Sequence, residues 1–230
     1  MSPHTPPTSP APTPEDVRAR LEVVRARILA AGGDPARVRV VAVTKGFGPE
    51  TVRAVVEAGI ADIGENYADE LVAKARGVCG SVRWHFLGAV QRNKVRRLAS
   101  SVGLWQGIDR LEEGEAVARA APGAQVLVEV DVTGARGRGG VEPGSVGPLV
   151  DGLVRLGLDV RGLMTVAPAG DGRAAATFAL VARLVADLGL AEASMGMSDD
   201  LEDAVANGST MVRVGRALLG PRPHRASVPQ

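Results

Sequence analysis

From residue 13 onward the chain alternates two kinds of apolar pattern. Short runs rich in Val, Ile and Leu read as buried strands, and longer stretches with apolar residues every three to four positions read as amphipathic helices. Eight strand-like runs stand out: Val38 to Val43, Ala61 to Gly64, Arg83 to Leu87, Leu104 to Ile108, Gln125 to Val130, Leu158 to Met164, Ala193 to Gly196 and Met211 to Val214. Helices are predicted between them, near Pro49 to Ala58, Tyr67 to Ala75, Gln91 to Ser100, Arg110 to Ala120, Pro143 to Arg155, Ala174 to Leu188 and Asp199 to Ala206. A further helix precedes the first strand: Thr13 suits the N-cap, Pro14 the first turn, Glu15 and Asp16 the positive end of the dipole, and Leu21, Val24, Ile28 and Ala31 share one face.

Strand and helix in strict alternation indicate βα units around a parallel sheet. Eight units at about 27 residues each suffice for a single-domain (β/α)₈ TIM barrel, and a doubly wound open sheet is the alternative that periodicity leaves standing. The eighth helix looks curtailed, because Arg216 to Gly220 runs into PRPHR, so the extra N-terminal helix would fill the gap in the outer ring. The expected organisation is a disordered Pro-rich arm over 1–13, which holds five prolines, the barrel over 14–220, and a flexible tail over 221–230.

Composition narrows the class without choosing a function. With 45% hydrophobic and 23% charged residues the 230-residue chain reads as globular, and its net charge of +1 gives no footprint for nucleic acid. No apolar run reaches the roughly 18 to 20 residues of a membrane span, and no signal-peptide core is visible. Cys79 is the single cysteine, which excludes an intrachain disulfide and makes the cytoplasm the expected location. The three histidines, His4, His85 and His224, are too scattered for a zinc site. Of the 27 basic residues only Lys45, Lys74 and Lys94 are lysine. A lysine amine can lose its proton and form a Schiff base, which guanidinium cannot, so these three carry chemical interest.

In a barrel the C-terminal strand ends form the active face. Lys45, Glu65, Asn66, Asp109, Met164, the segment Ser194 to Ser198 and the segment Arg213 to Arg216 fall at such ends, and His85 lies late in its strand. Lys45 ends the run VAVTKGFG, where Gly46 and Gly48 would let the loop turn. Its amine is either a desolvated nucleophile or a rim charge paired with Glu65. SMGMSDD and GSTMVRVGRALLG are strand-to-helix loops of the kind that hold phosphate, and Ser198 is equally a plain N-cap. Arg213, between Val212 and Val214, faces either the lumen or a covering helix. His85 beside Trp84 and Phe86 is either a satisfied core residue or a functional one. GARGRGG, Gly134 to Gly140, reads as a flexible βα loop, and QRNKVRR as a solvated cationic face.

Six motifs in order, AVTKGF, GENYADELVAKA, WHFLGAVQRNKV, IDR, RGLMTVAP and SMGMSDDLEDAVANGSTMVRVGRALLG, give the chain its resemblance to the YggS/PROSC family of pyridoxal 5'-phosphate (PLP) homeostasis proteins. The resemblance implies a barrel of the alanine racemase N-terminal type with PLP in its mouth. It implies that Lys45 forms the internal aldimine, that Asn66 and His85 lie around the cofactor ring with Met164 in the same site, and that Arg213 faces the pyridine nitrogen. It further implies that Ser198, Gly215 and the backbone of Arg216 cradle the phosphate, with Ser194 and Gly196 nearby. An arginine at that nitrogen weakens the ring as an electron sink. The single tyrosine, Tyr67, sits inside GENY, and no further domain is expected after Gly220 to bring the second acid/base that racemases need. The resemblance thus implies a non-enzymatic, monomeric PLP holder that buffers or delivers the cofactor, with PLP-dependent apo-enzymes as partners. A PLP-dependent racemase or lyase, and a cofactor-free Schiff-base aldolase using Lys45, are the alternatives. Three departures stand out: Arg92 in QRNK where the family often has Ser, Arg216 where it often has Thr, and the Gly- and Arg-rich loop.

Overall fold

A computed structural model describes residues 11–78, 81–134, 137–168, 170 and 172–222. Most of the arm expected over 1–13, Cys79, two residues of GARGRGG, and the tail from 223 lie outside them.

Eight parallel strands close into a barrel in chain order, each paired to the next and the last to the first. They are β1 (Arg39–Val43), β2 (Asp62–Glu65), β3 (Arg83–Phe86), β4 (Val102–Ile108), β5 (Gln125–Val130), β6 (Asp159–Thr165), β7 (Glu192–Ser194) and β8 (Met211–Val214). Closure decides against the open sheet. The helices are α1 (Pro14–Ala30), α2 (Pro49–Glu57), α3 (Ala68–Gly77), α4 (Arg92–Leu98), α5 (Leu111–Ala120), α6 (Val146–Arg155), α7 (Ala174–Asp187), α8 (Leu201–Ala206) and α9 (Arg216–Leu219), with a 3₁₀ turn at Pro143–Ser145 leading into α6.

The N-terminal helix starts where its sequence says it should. Thr13 Oγ1 accepts a hydrogen bond from Asp16 N at 3.1 Å, and Thr13 N donates back to the Asp16 carboxylate at 3.0 Å, a reciprocal capping box in front of Pro14. Val17, Leu21, Val24 and Ile28 then form its buried stripe. α1 packs on α2, α8 and the four-residue α9, so it supplies the cover that a short eighth helix leaves wanting. Arg27 of α1 pairs with Glu202 at 2.6 Å and donates to the Ser198 carbonyl at 2.9 Å, which ties this helix to the loop after β7.

Two apolar regions divide the core. The larger lies between strands and helices; the smaller, Val41, Leu104, Leu127, Met164 and Met211 with Val166 packed against it, fills the lumen. Alternation along β8 puts Met211 and Arg213 inward and leaves Val212 and Val214 against the helices. The same parity on β1 points Val41 inward and carries on through Val43 to Lys45, which both line a cavity at the mouth. Among the described residues no helix is long and apolar enough to cross a membrane.

Candidate functional site

The cavity occupies the C-terminal mouth of the barrel and has a volume of about 400 Å³, within the range of small-molecule sites. Lys45 enters it from the end of β1, Asn66 from the end of β2, Met164 from β6, Arg213 from β8, and Ser198, Gly215 and Arg216 from the loops after β7 and β8. Seven of the residues singled out from sequence therefore share one cavity wall.

Lys45 is half-buried, and burial, with Arg222 and Arg213 adding positive charge, pulls its pKa below the ordinary lysine value; Glu65 opposes the shift. The rim reading, in which Lys45 pairs with Glu65, does not hold. Glu65 Oε1 accepts from Lys74 Nζ at 2.5 Å and from Thr44 Oγ1 at 2.6 Å, all on the outer side of the barrel under α3. The same Lys74 amine donates to the Thr44 carbonyl at 2.8 Å and to Glu70 Oε2 at 3.0 Å, and Glu70 Oε2 also accepts from Gly46 N at 2.8 Å. Main-chain groups on both sides of Lys45 are thus fastened from beneath. Gly46 has φ +79°, a left-handed conformation that suits glycine. Gly48 has φ −83° and serves as the N-cap of α2, so of the two glycines only Gly46 makes the turn by positive φ.

Arg213 is the lumen-facing alternative realised. Its Nη1 donates to the Ser194 carbonyl at 2.6 Å and to Ser194 Oγ at 2.8 Å, and its Nη2 to the Thr165 carbonyl at 2.7 Å. These bonds leave the Nε hydrogen and one on Nη2 without a protein acceptor among the described residues. Burial pushes its pKa down to about 10, with Glu129 and Asp200 opposing, so it stays cationic at neutral pH.

Three expected residues do not line the cavity. His85 is fully buried one layer below it, with Nε2 2.8 Å from Asp62 Oδ1 and Nδ1 2.7 Å from Gln106 Nε2. Ser194 supports Arg213 from within the lumen. Gly196 has φ +91°, its carbonyl accepts from Arg213 N at 3.0 Å, and a Cβ there would lie 2.5 Å from Ala204 Cβ. Ser198 is not the N-cap of α8: that helix starts at Leu201 after Asp200, and Ser198 Oγ instead accepts from Ala217 N at 3.3 Å, joining the loop after β7 to the first turn of α9. The Arg216 side chain pairs with Asp199 at 2.7 Å, both exposed, and both residues line the cavity.

The structure adds residues that sequence patterns did not single out. Glu129, on β5 across the barrel from β1, lines the cavity, and burial together with the Asp109 charge raises its pKa to about 7. Arg222 reaches the mouth beside Lys45. The described part of the Gly-rich loop is fastened rather than free: Gly140 N donates to Asp109 at 2.9 Å, Arg138 donates to the Val166 carbonyl at 2.9 Å, and Val141 bridges to Val130. Gly88 is a close-approach position, since a Cβ there would come within 2.1 Å of the Asn66 carbonyl oxygen. Tyr67 is exposed and lines a neighbouring pocket with Asn66 and Lys94, not the mouth cavity. Among the described residues no cluster of His, Cys, Asp and Glu could hold a metal ion.

Comparison with known proteins gives the family and the fold. The family described as alanine racemase, N-terminal domain, matches residues 15–223. A pyridoxal phosphate homeostasis protein of Deinococcus radiodurans is 42% identical over 208 residues, covering 88% of this chain and 99% of its own. The protein of the same name from Pseudomonas aeruginosa is 37% identical over 213 residues, covering 88% and 93%. The structure of PipY from Synechococcus elongatus with PLP bound superposes with a TM-score of 0.78 at 30% identity, covering 89% of this chain and all of that one. An alanine racemase of Clostridium difficile shares the fold at a TM-score of 0.70 and 16% identity, with the chain spanning 56% of it. The chain belongs to the alanine racemase N-terminal domain family and, within it, to the pyridoxal phosphate homeostasis proteins.

Proposed function

We propose that the protein holds PLP in the barrel mouth and buffers or delivers it without turning over a substrate. One observation carries this reading: Lys45, Arg213, Ser198 and Gly215 line a single cavity. The PLP-bound relative with the same fold, and the relatives named for PLP homeostasis, support it.

The residues present fit such a group. PLP, when bound, supplies an aldehyde that condenses with an amine, a pyridine nitrogen that accepts a hydrogen bond, and an anionic phosphate. Lys45 would be the residue that holds the aldehyde, because its amine gives up its proton more readily than an ordinary lysine. Arg213, whose Nε hydrogen and one Nη2 hydrogen have no protein acceptor among the described residues, would face the ring nitrogen, and because it remains cationic it would disfavour protonation there. Ser198, Gly215 and the backbone of Arg216 would hold the phosphate, with Arg222 adding positive charge at the rim, and Asn66 and Met164 would bound the ring.

The non-enzymatic reading rests on what faces the cavity. An arginine partner to the ring nitrogen disfavours carbanion chemistry, and the single tyrosine lies outside the cavity wall. Glu129, with a pKa of about 7, is the observation that favours a racemase or lyase instead. Incubating the PLP-loaded protein with L-alanine in deuterated buffer separates the two: buffering predicts no deuterium at Cα over many hours, and catalytic exchange lost in Glu129→Gln establishes the enzyme reading. In the buffering reading 14–220 acts as one monomeric cytoplasmic unit, and transfer to apo-enzymes is the delivery route, measured by reactivation of a PLP-depleted aminotransferase.

A further inference from the structure

A chain of hydrogen bonds crosses the barrel interior from Arg213 to the opposite end. Arg213 Nη1 donates to Ser194 Oγ at 2.8 Å, Ser194 Oγ donates to Gln106 Oε1 at 2.7 Å, Gln106 Nε2 meets His85 Nδ1 at 2.7 Å, and His85 Nε2 meets Asp62 Oδ1 at 2.8 Å. Five strands contribute one residue each: β8, β7, β4, β3 and β2. Ser194, Gln106 and His85 are fully buried, and Arg213 is 5% exposed.

The direction of each bond follows from the donors available. A guanidinium only donates, so the Ser194 hydroxyl accepts from it and passes its own proton on to Gln106 Oε1. That fixes the Gln106 amide with its NH₂ toward His85, where it also reaches Met211 Sδ at 3.1 Å. His85 Nδ1 must then accept, which leaves the proton on Nε2, aimed at the Asp62 carboxylate. All four bonds run one way, cation to anion, and bonds aligned in this manner polarise one another. The guanidinium's immediate partners are two carbonyls and a hydroxyl, none of them charged. The relay therefore connects a buried cation to a carboxylate it does not touch.

We propose that Ser194, Gln106 and His85 are positioning residues for Arg213, forming a one-way relay to Asp62 that fixes the guanidinium's donors beneath the cavity. It accounts for why His85, expected beside the cofactor, is bound up one layer lower. Other charges face both ends: Glu129 and Asp200 act on Arg213, and Arg39 and Arg83 on His85. None of them interrupts the bonds between the two.

A double-mutant cycle on Gln106→Met and His85→Asn tests the relay, with two readouts. The first is ¹⁵N NMR of the Arg213 Nε–H in the full-length protein without cofactor. The relay predicts that His85→Asn, three bonds distant, shifts this resonance, and that adding it to Gln106→Met changes nothing further. An unshifted Arg213 signal in both single variants, or strictly additive shifts, overturns the proposal. The second readout depends on the cofactor reading: in PLP-loaded protein both variants displace the visible band and weaken PLP binding by about 3- to 10-fold. An unchanged band and affinity also overturns the proposal. Wild-type protein with no visible band overturns the cofactor reading instead, and the NMR arm then decides the relay alone. If Gln106→Met does not fold, Ser194→Ala breaks the same chain one step earlier.

Discussion

Lys74 Nζ donates to the main-chain carbonyl of Thr44 at 2.8 Å, so a buried amine on α3 holds the residue immediately before Lys45. The same amine neutralises Glu65 and reaches Glu70, which in turn holds Gly46. Two of the three lysines thus serve one loop, one in the cavity and one behind it. Removing a single partner from a buried pair leaves an uncompensated charge, typically costing about 3–5 kcal/mol. Lys74→Met should lower stability in urea unfolding by that order. In the Glu65→Gln, Lys74→Met double variant most of the stability should return while PLP affinity stays reduced, because the Thr44 carbonyl still lacks its donor.

Glu129 gives the protein a pH signature. Its pKa rises from 4.5 to about 7 in the folded protein, so the folded state binds more protons than the unfolded state between those values. Stability from this group is complete below about pH 4.5 and is lost as pH climbs through 7. Glu129→Gln should flatten that decline, with a gain on the order of 1–2 kcal/mol above pH 8 after allowance for solvent screening. Thermal unfolding of cofactor-free wild type and variant across pH 4 to 9 measures it.

Arg222 should tune the nucleophile. Burial is the main cause of the lowered Lys45 pKa and Arg222 the next, so removing that positive charge makes the protonated amine less unfavourable. In Arg222→Ala the pH midpoint for reaction of Lys45 with a small aldehyde should move up toward the ordinary lysine value of 10.5. An unchanged midpoint would show that Arg222 does not act on the amine.

The barrel was legible in sequence because burial on both faces of a parallel sheet writes continuous apolar runs, and all eight lie on strands within two residues. Helix starts were legible where capping chemistry is local, as at Thr13, and misread where a loop bond competes, as at Ser198, whose hydroxyl serves Ala217 across the chain. Lys45 and Arg213 stood out by strand position and side-chain chemistry, but the local pattern left two readings for each and only the family resemblance favoured the cavity. Which charge pairs with Lys45 was not legible, because Glu65 and Lys74 meet on the outer face through α3, a relationship nine residues apart in sequence and set by packing. Glu129 was hidden for the opposite reason: in QVLVEV it reads as one polar position in a strand, and only closure of the barrel turns it into the cavity. The extended relay through Gln106 joins five strands, so no window of sequence contains it.

The central claim is that Lys45 is the residue that holds PLP. Borohydride reduction of the PLP-loaded protein, followed by peptide mass mapping, should place a single pyridoxyl group on Lys45, and Lys45→Ala should lose both the label and the visible band. A label on Lys74 or Lys94 in the wild type, or a visible band that survives in Lys45→Ala, would contradict it.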